Sequence, residues 1–208
     1  MKITIEGLIG AGKSKLCEIL EHAPCIDRVV KEPMQDWNIS KGNARVNLLE
    51  KYYTEPKLYT FPFQVHCLRT RCRTDKQHRG TNICTVFERG VESDAVFAKI
   101  NYLNGNMDDT LWLCYLYQLE EAMEDTSTID GHIYIKTSVN TCMQRIQSRG
   151  RSEEEGVTIE YMNQLETEHD TWLLKKDNVL IIDGEEDFFD KQVQRRLVEQ
   201  VQAFVKNF

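Results

Sequence analysis

The chain has 208 residues, 41% hydrophobic and 28% charged, which suits one compact domain with a real apolar core. Its net charge of −7 argues against a nucleic acid duplex as partner, because backbone binding needs clustered positive charge. No apolar run approaches the roughly 20 residues that span a bilayer, and the chain opens on neither a cleavable leader nor an Arg-rich presequence. Seven cysteines without a C-x-x-C pair and five scattered histidines describe neither a disulfide framework nor a zinc site. A soluble, cytoplasmic protein without membrane contact is expected.

The first predicted strand, "KITIE" (2–6), runs directly into "GLIGAGKS" (7–14) and a helix over 13–22. G-x-x-x-x-G-K-S is complete there as Gly7, Gly12, Lys13 and Ser14, with Gly10 and Ala11 inside it. Glycines let successive N–H groups turn toward one phosphate, and the N-terminal end of the helix adds partial positive charge. Lys13 can reach the β and γ phosphates of a nucleotide, and the Ser14 hydroxyl can ligate Mg²⁺. A glycine turn that only caps a helix is the alternative.

The second strand, "CIDRVV" (25–30), delivers "KEPMQDW", with Glu32 just past its end and Trp37 five residues on. A carboxylate there can accept a proton from a hydroxyl attacking the γ-phosphate, and an indole can wall off a flat ligand. Glu32 could equally cap a helix and Trp37 could be core. Further on, Arg71 follows Gln64 by about two helical turns, so both can project from one helix face. The third strand, "NICTVF" (82–87), leads to "FERG", where Glu88 and Arg89 could handle metal and transferring phosphate or form a surface ion pair.

Helices over 90–104 and 108–125 carry apolar residues, among them Leu111, Leu113, Tyr115, Leu116 and Leu119, on more than one side, which predicts a further packing surface. The fourth strand, "HIYIK" (132–136), precedes a helix over 138–148 with Val139, Cys142, Met143 and Ile146 at helical spacing. In "RIQSRGRSEEEG", Arg145 and Arg149 share one helix face and Arg151 follows. These guanidinium forks could hold a migrating phosphoryl group, or pair with Glu153, Glu154 and Glu155 in solvent. A helix over 158–174 (Ile159, Met162, Leu165, His169, Trp172, Leu173), a fifth strand "NVLIID" (178–183), the loop "DGEEDF" and a helix over 188–206 close the chain. Alternating strands and helices without repeat or linker predict a single domain over residues 1–208. Its fold is α/β, a P-loop NTPase-like three-layer arrangement with a parallel sheet of about five strands flanked by helices. Ligands are expected beyond the carboxyl ends of the strands.

The ordered set "GLIGAGKS", "EPMQDW", "LLEKYY", "FPFQ", "ERGVESD", "RIQSRGRSEEEG", "IEYMNQLETEHDTWL" and "DGEEDF" resembles the deoxynucleoside kinases of the deoxycytidine and deoxyguanosine kinase type over nearly the whole chain. The resemblance implies transfer of the γ-phosphoryl group of ATP, or another nucleoside triphosphate, to the 5′-hydroxyl of a deoxynucleoside in nucleotide salvage. It makes Glu32 the general base, puts Glu88 and Arg89 near Mg²⁺ and the reacting oxygen, and lines the sugar and base pocket with Trp37 and Phe63. Gln64 then makes a two-point contact with the base edge, and Tyr53 with Glu154 grips the 3′-hydroxyl. Arg71 and Asp94 form the charged pair that favours deoxycytidine and purine deoxynucleosides over thymidine, whose 5-methyl it would crowd. Arg145, Arg149 and Arg151 sit in a lid over about 145–156, and Asp187 and Phe188 border the donor base through backbone groups. Family members pair through helices, so a homodimer is expected through about 45–60 and 90–125.

Three positions depart from the family's pattern. Gly90 and Ala95 replace a serine and an arginine, and Ala98 stands where a base-stacking phenylalanine would fall, with Phe97 one residue earlier. Either Phe97 turns into that role or the pocket is wider, which would suit purines. Among competing functions, a nucleoside monophosphate kinase has an anionic acceptor and no use for Glu32 as a proton acceptor. A zinc-ribbon thymidine kinase would need paired cysteines, and a regulatory ATP-binding protein need not keep Glu32, Glu88 and Arg89.

Overall fold

The computed structural model describes residues 1–80 and 83–208. Five strands form one parallel sheet: β1 (Lys2–Gly7), β2 (Arg28–Val30), β5 (Thr85–Glu88), β6 (Gly131–Lys136) and β7 (Val179–Asp183), in the order β2-β5-β1-β6-β7. Strand β2 is shorter than the apolar run 25–30 implied, and β5 starts at Thr85. The predicted strand residue Asn82 lies outside the described residues.

Period-two alternation divides the sheet's faces. Ile3, Ile5, Ile133 and Ile135, all fully buried, take the side of α1 (Lys13–Leu20) and α8 (Lys191–Val205); a Cβ on Gly131 would meet the Phe204 ring of α8 at 2.8 Å. The opposite face is more polar. Thr4, Glu6, His132 and Tyr134 lie there under α4 (Val91–Leu103) and α7 (Ile159–Leu173), with the Tyr134 hydroxyl donating to Asp170 at 2.8 Å and the His132 ring 5.5 Å from Trp172. Helix α6 (Val139–Arg149) and α7 begin at Ser138 and Thr158, whose hydroxyls accept the free N–H groups of Thr141 and Tyr161.

Between β2 and β5 the chain makes an exposed antiparallel hairpin, β3 (Asn38–Lys41) with β4 (Ala44–Asn47), then α2 (Leu48–Thr54) and α3 (Pro56–His78). This corrects the expected helical start at 45, because Gly42, at φ 61°, reverses the chain and residues 44–47 pair as a strand. Helix α5 (Asp109–Asp125) packs on α3 and α4. In parallel register, the carboxyl ends of β1, β2 and β5 reach the same edge, where Gly7, Glu32 and Glu88 converge.

Candidate active site

The loop from Gly7 to Ser14 is shaped by close backbone approach. Gly7 and Gly10 have φ of 145° and 80°, and a Cβ on either would lie 2.7 Å from a carbonyl oxygen, of Ile135 and Cys142 respectively. Gly12, also left-handed, caps α1 and packs against the buried Phe188 ring. Lys13 follows, with Nζ donating to the carbonyls of Leu8 at 2.6 Å and Gly7 at 3.3 Å. Burial, with Arg89 nearby, pushes the Lys13 ammonium down to about 8.

Ser14 Oγ donates to Glu88 Oε1 at 2.6 Å, which ties the loop to the end of β5. The other Glu88 oxygen lies 3.4 Å from the Glu32 backbone nitrogen, so one carboxylate spans three strand ends. Glu32 carries two cations: Arg71 Nη2 donates to its Oε1, and Arg89 Nε stands 3.7 Å from the same oxygen. Burial alone would push the Glu32 carboxyl up, but Arg71, Arg89 and Lys13 outweigh it and hold it below the ordinary glutamate value. Arg71 is also bound to Asp94 through Nε at 2.8 Å, with both residues buried. Burial lifts the Asp94 carboxyl to about 6 against the opposing pull of Arg71. Arg71 Nη1 and Asp94 Oδ2 have no hydrogen-bond partner among the described residues, although both are buried. Such orphaned groups mark a place where a polar ligand edge fits.

A cleft partly open to solvent joins these groups. Lys13, Ser14, Glu32, Glu88 and Arg89 line it, and so do Gln64, Arg71 and Asp94. Trp37 and Phe63, whose rings meet edge to face at 5.4 Å, supply an aromatic lining. Tyr53 and Glu154 border the same cleft. Phe97 lines it too and lies under the Arg89 guanidinium at 4.7 Å, whereas Ala98 is fully buried in a separate cluster with Leu68 and Tyr115. One residue along a helix is a turn of about 100°, so positions 97 and 98 face different neighbours.

The three arginines of the 145–156 segment have different partners. Arg145 stays with the glycine loop, donating to Ala11 at 3.3 Å and Gly184 at 2.8 Å. Arg149 forks onto the buried Glu154 at 2.7 and 2.6 Å, and Arg151 approaches the same carboxylate at 3.5 Å. Asp187 is turned to its own loop, accepting from Phe189 N at 2.9 Å, while Gln194 donates to the Phe188 carbonyl at 2.9 Å.

Other residues at the site were not foreseen. Tyr52 stacks on Phe63 at 4.7 Å and accepts from Asn101, so both tyrosines of "KYY" serve the cleft. Glu6 and His169 reach Arg89 from behind; their signal was a charged residue ending a buried strand and a histidine on an apolar helix face.

A family model described as "Deoxynucleoside kinase" matches residues 3–206. A protein named deoxycytidine kinase 2 from Gallus gallus is 34% identical, over 98% of this chain and 90% of its own length. A probable deoxycytidine kinase of Fowlpox virus (strain NVSL) is 38% identical over 91% and 81%, and a mitochondrial deoxyguanosine kinase of Xenopus laevis 27% identical over 98% and 89%.

Proposed function

The chain belongs to the deoxynucleoside kinase family, and from that premise we propose that it transfers the γ-phosphoryl group of ATP, in the presence of Mg²⁺, to the 5′-hydroxyl of deoxycytidine or a purine deoxynucleoside in preference to thymidine. It is a phosphotransferase that acts on a deoxynucleoside with a nucleoside triphosphate as donor. One observation carries the finer reading: the Glu32 carboxylate, with Arg89 3.7 Å away, opens on the same cleft as Lys13 and Ser14.

The donor set fits the groups such a reaction uses. Ser14 and Glu88 offer hard oxygens side by side, the ligands Mg²⁺ takes alongside phosphate and water, and the Lys13 ammonium lines the same cleft while bonded to the loop's carbonyls. When bound there, Mg²⁺ would neutralise charge on the phosphate oxygens. Glu32 orients the 5′-hydroxyl and takes its proton as the phosphoryl group arrives, and Arg71 with Arg89 keeps that carboxylate ionised at neutral pH. Arg89 offers its remaining donors to the reacting oxygen. Arg145, Arg149 and Arg151 close on the triphosphate, with Arg149 exchanging part of its fork from Glu154, and Asp187 and Phe188 flank the donor base. Trp37, Phe63 and Phe97 enclose the acceptor base, Gln64 reads its edge at two points, and Tyr53 with Glu154 holds the 3′-hydroxyl. The Arg71–Asp94 pair presents donors to a base acceptor and leaves little room for a 5-methyl.

Residues 1–208 are read as one domain, working in the cytoplasm in nucleotide salvage. The exposed Leu113, Leu116 and Met123 of α5 support a homodimer through helices of the 90–125 region. Among the described residues no helix is long and apolar enough to cross a membrane. The test is ATP- and Mg²⁺-dependent phosphorylation of deoxycytidine, deoxyadenosine, deoxyguanosine, thymidine and their monophosphates, with Glu32→Gln alongside. Nucleoside turnover reduced about 100-fold or more in Glu32→Gln is expected, on the scale of a lost general base. Turnover of monophosphates alone, or a thymidine preference, would overturn the acceptor assignment.

A further inference from the structure

Arg89 is the one non-glycine residue among the described residues with positive φ, at 66°. A side chain held there costs on the order of 1 kcal/mol or more and persists where the surroundings over-determine it. Its N–H donates to the Ile5 carbonyl at 3.0 Å, and the N–H of Gly90 donates to Glu6 Oε1 at 2.9 Å. Nη2 donates to the Gly7 carbonyl at 2.8 Å. Nη1 faces two further groups, Glu6 Oε2 at 3.9 Å and His169 Nε2 at 3.5 Å.

Neither Glu6 nor His169 lines the cleft, and both are fully buried. Burial pushes the Glu6 carboxyl up, with Arg89 the chief opposing pull, and its Oε2, without a hydrogen-bond partner among the described residues, faces Arg89 Nη1. His169 Nδ1 lies 2.7 Å from the Leu165 carbonyl, a contact that only an N–H makes. Burial, with Arg89 beside it, pushes the imidazole down to about 3, so the neutral ring leaves Nε2 as an acceptor aimed at Arg89.

We propose that Glu6 and His169 are positioning residues for phosphoryl transfer, holding the Arg89 guanidinium under the glycine loop so that it stands beside Glu32 without capturing it. Glu6 and Glu32 are the two carboxylates within 4.0 Å of Arg89 among the described residues. With Glu6 neutralised, Glu32 becomes the sole counter-charge, and Arg89 moves onto the oxygen that must accept the substrate's proton. The left-handed turn at Arg89 and the Gly90 bond to Glu6 fix the same geometry through the backbone. This inference rests on the reading of Arg89 as a group that touches the reacting oxygen.

The test uses the full chain. Glu6→Gln keeps the shape and the acceptor for Gly90 N while removing the charge; His169→Phe removes the Nε2 acceptor, and His169→Gln returns an oxygen near it. Steady-state kcat and both KM values are measured for these, for Arg89→Lys and for the Glu6→Gln/Arg89→Lys pair. A kcat lowered about tenfold in Glu6→Gln with KM values little changed is expected, the scale of removing one charge-assisted hydrogen bond from the transition state. Glu6→Gln/Arg89→Lys should fall no further than Arg89→Lys alone, and His169→Gln should recover part of the activity that His169→Phe loses. Additive losses, or an undiminished kcat in Glu6→Gln and His169→Phe, would overturn the proposal while Arg89→Lys remains impaired. Unfolding of all Glu6 and His169 variants beside a folded Arg89→Lys would assign them to the scaffold and also overturn it. An unimpaired Arg89→Lys would instead remove the role of Arg89 on which the proposal rests.

Discussion

At the amino end of β1, Lys2 Nζ meets Asp75 Oδ2 of α3 at 2.5 Å, with both side chains almost fully buried. Asp75 also accepts from Ser127 N at 3.0 Å and Ser127 Oγ at 2.9 Å, so one carboxylate joins a strand, a helix and the segment before β6. Asp75→Asn keeps an acceptor for Ser127 and strands the Lys2 charge. Removing one partner of a buried pair costs about 3–5 kcal/mol, and the bond from Lys2 to the Ser127 carbonyl at 3.0 Å points to the lower end, about 3 kcal/mol. For a chain of this size that is a fall in Tm of roughly 6–12 °C. Lys2→Met/Asp75→Asn removes the stranded charge and should return to within about 1 kcal/mol of the wild type. Burial would raise the Asp75 carboxyl, but Lys2 and Ser127 outweigh it and hold it below the ordinary aspartate value. A depressed folded pKa gives stability that is present above the unfolded value and lost as pH falls through the folded one. The gap between wild type and Asp75→Asn should therefore stay constant from about pH 5 to 8 and narrow below about pH 4. Urea unfolding of the three proteins across pH is the assay. A single-variant loss under about 1 kcal/mol, or a double variant as unstable as Asp75→Asn, would refute the reasoning.

Two further outcomes are expected at the cleft. With the Lys13 ammonium at about 8 in the ligand-free chain, binding a triphosphate takes up a proton, and the apparent Kd should rise roughly tenfold from pH 7 to 9; a flat profile by titration would show that Lys13 is fully charged before binding. Glu154→Gln weakens the grip assigned to the 3′-hydroxyl and frees Arg149, so the KM advantage of a deoxynucleoside over its 3′-deoxy analogue should shrink by about tenfold. An advantage that survives would take Glu154 out of sugar recognition.

Part of the candidate site was legible because its groups occupy positions that chain order marks, while Tyr53, Gln64, Asp94 and Glu154 entered through the family resemblance. Glu32 follows one parallel strand and Glu88 ends another, the glycines precede a helix, and Gln64 and Arg71 share a helix face. The hairpin over Asn38–Asn47 was not legible: its strands are short and largely exposed, and lack the apolar alternation that marks a half-buried strand. The choice between Phe97 and Ala98 is made by helix phase, since Phe97 turns to the cleft and Ala98 to the cluster around Tyr115.

Glu6 and His169 show a different limit. Each was visible as a polar residue within an apolar pattern, and each alone reads as a satisfied core group. Their meaning depends on lateral strand order, because β5 must lie beside β1 before Gly90 can bond Glu6, and α7 must cover that face before His169 can meet Arg89. Chain order fixes which residues come after each strand, but not which strand lies next to it. Glu32, Glu88 and the glycine loop could thus be read locally, whereas the groups behind Arg89 become visible only once the sheet is assembled.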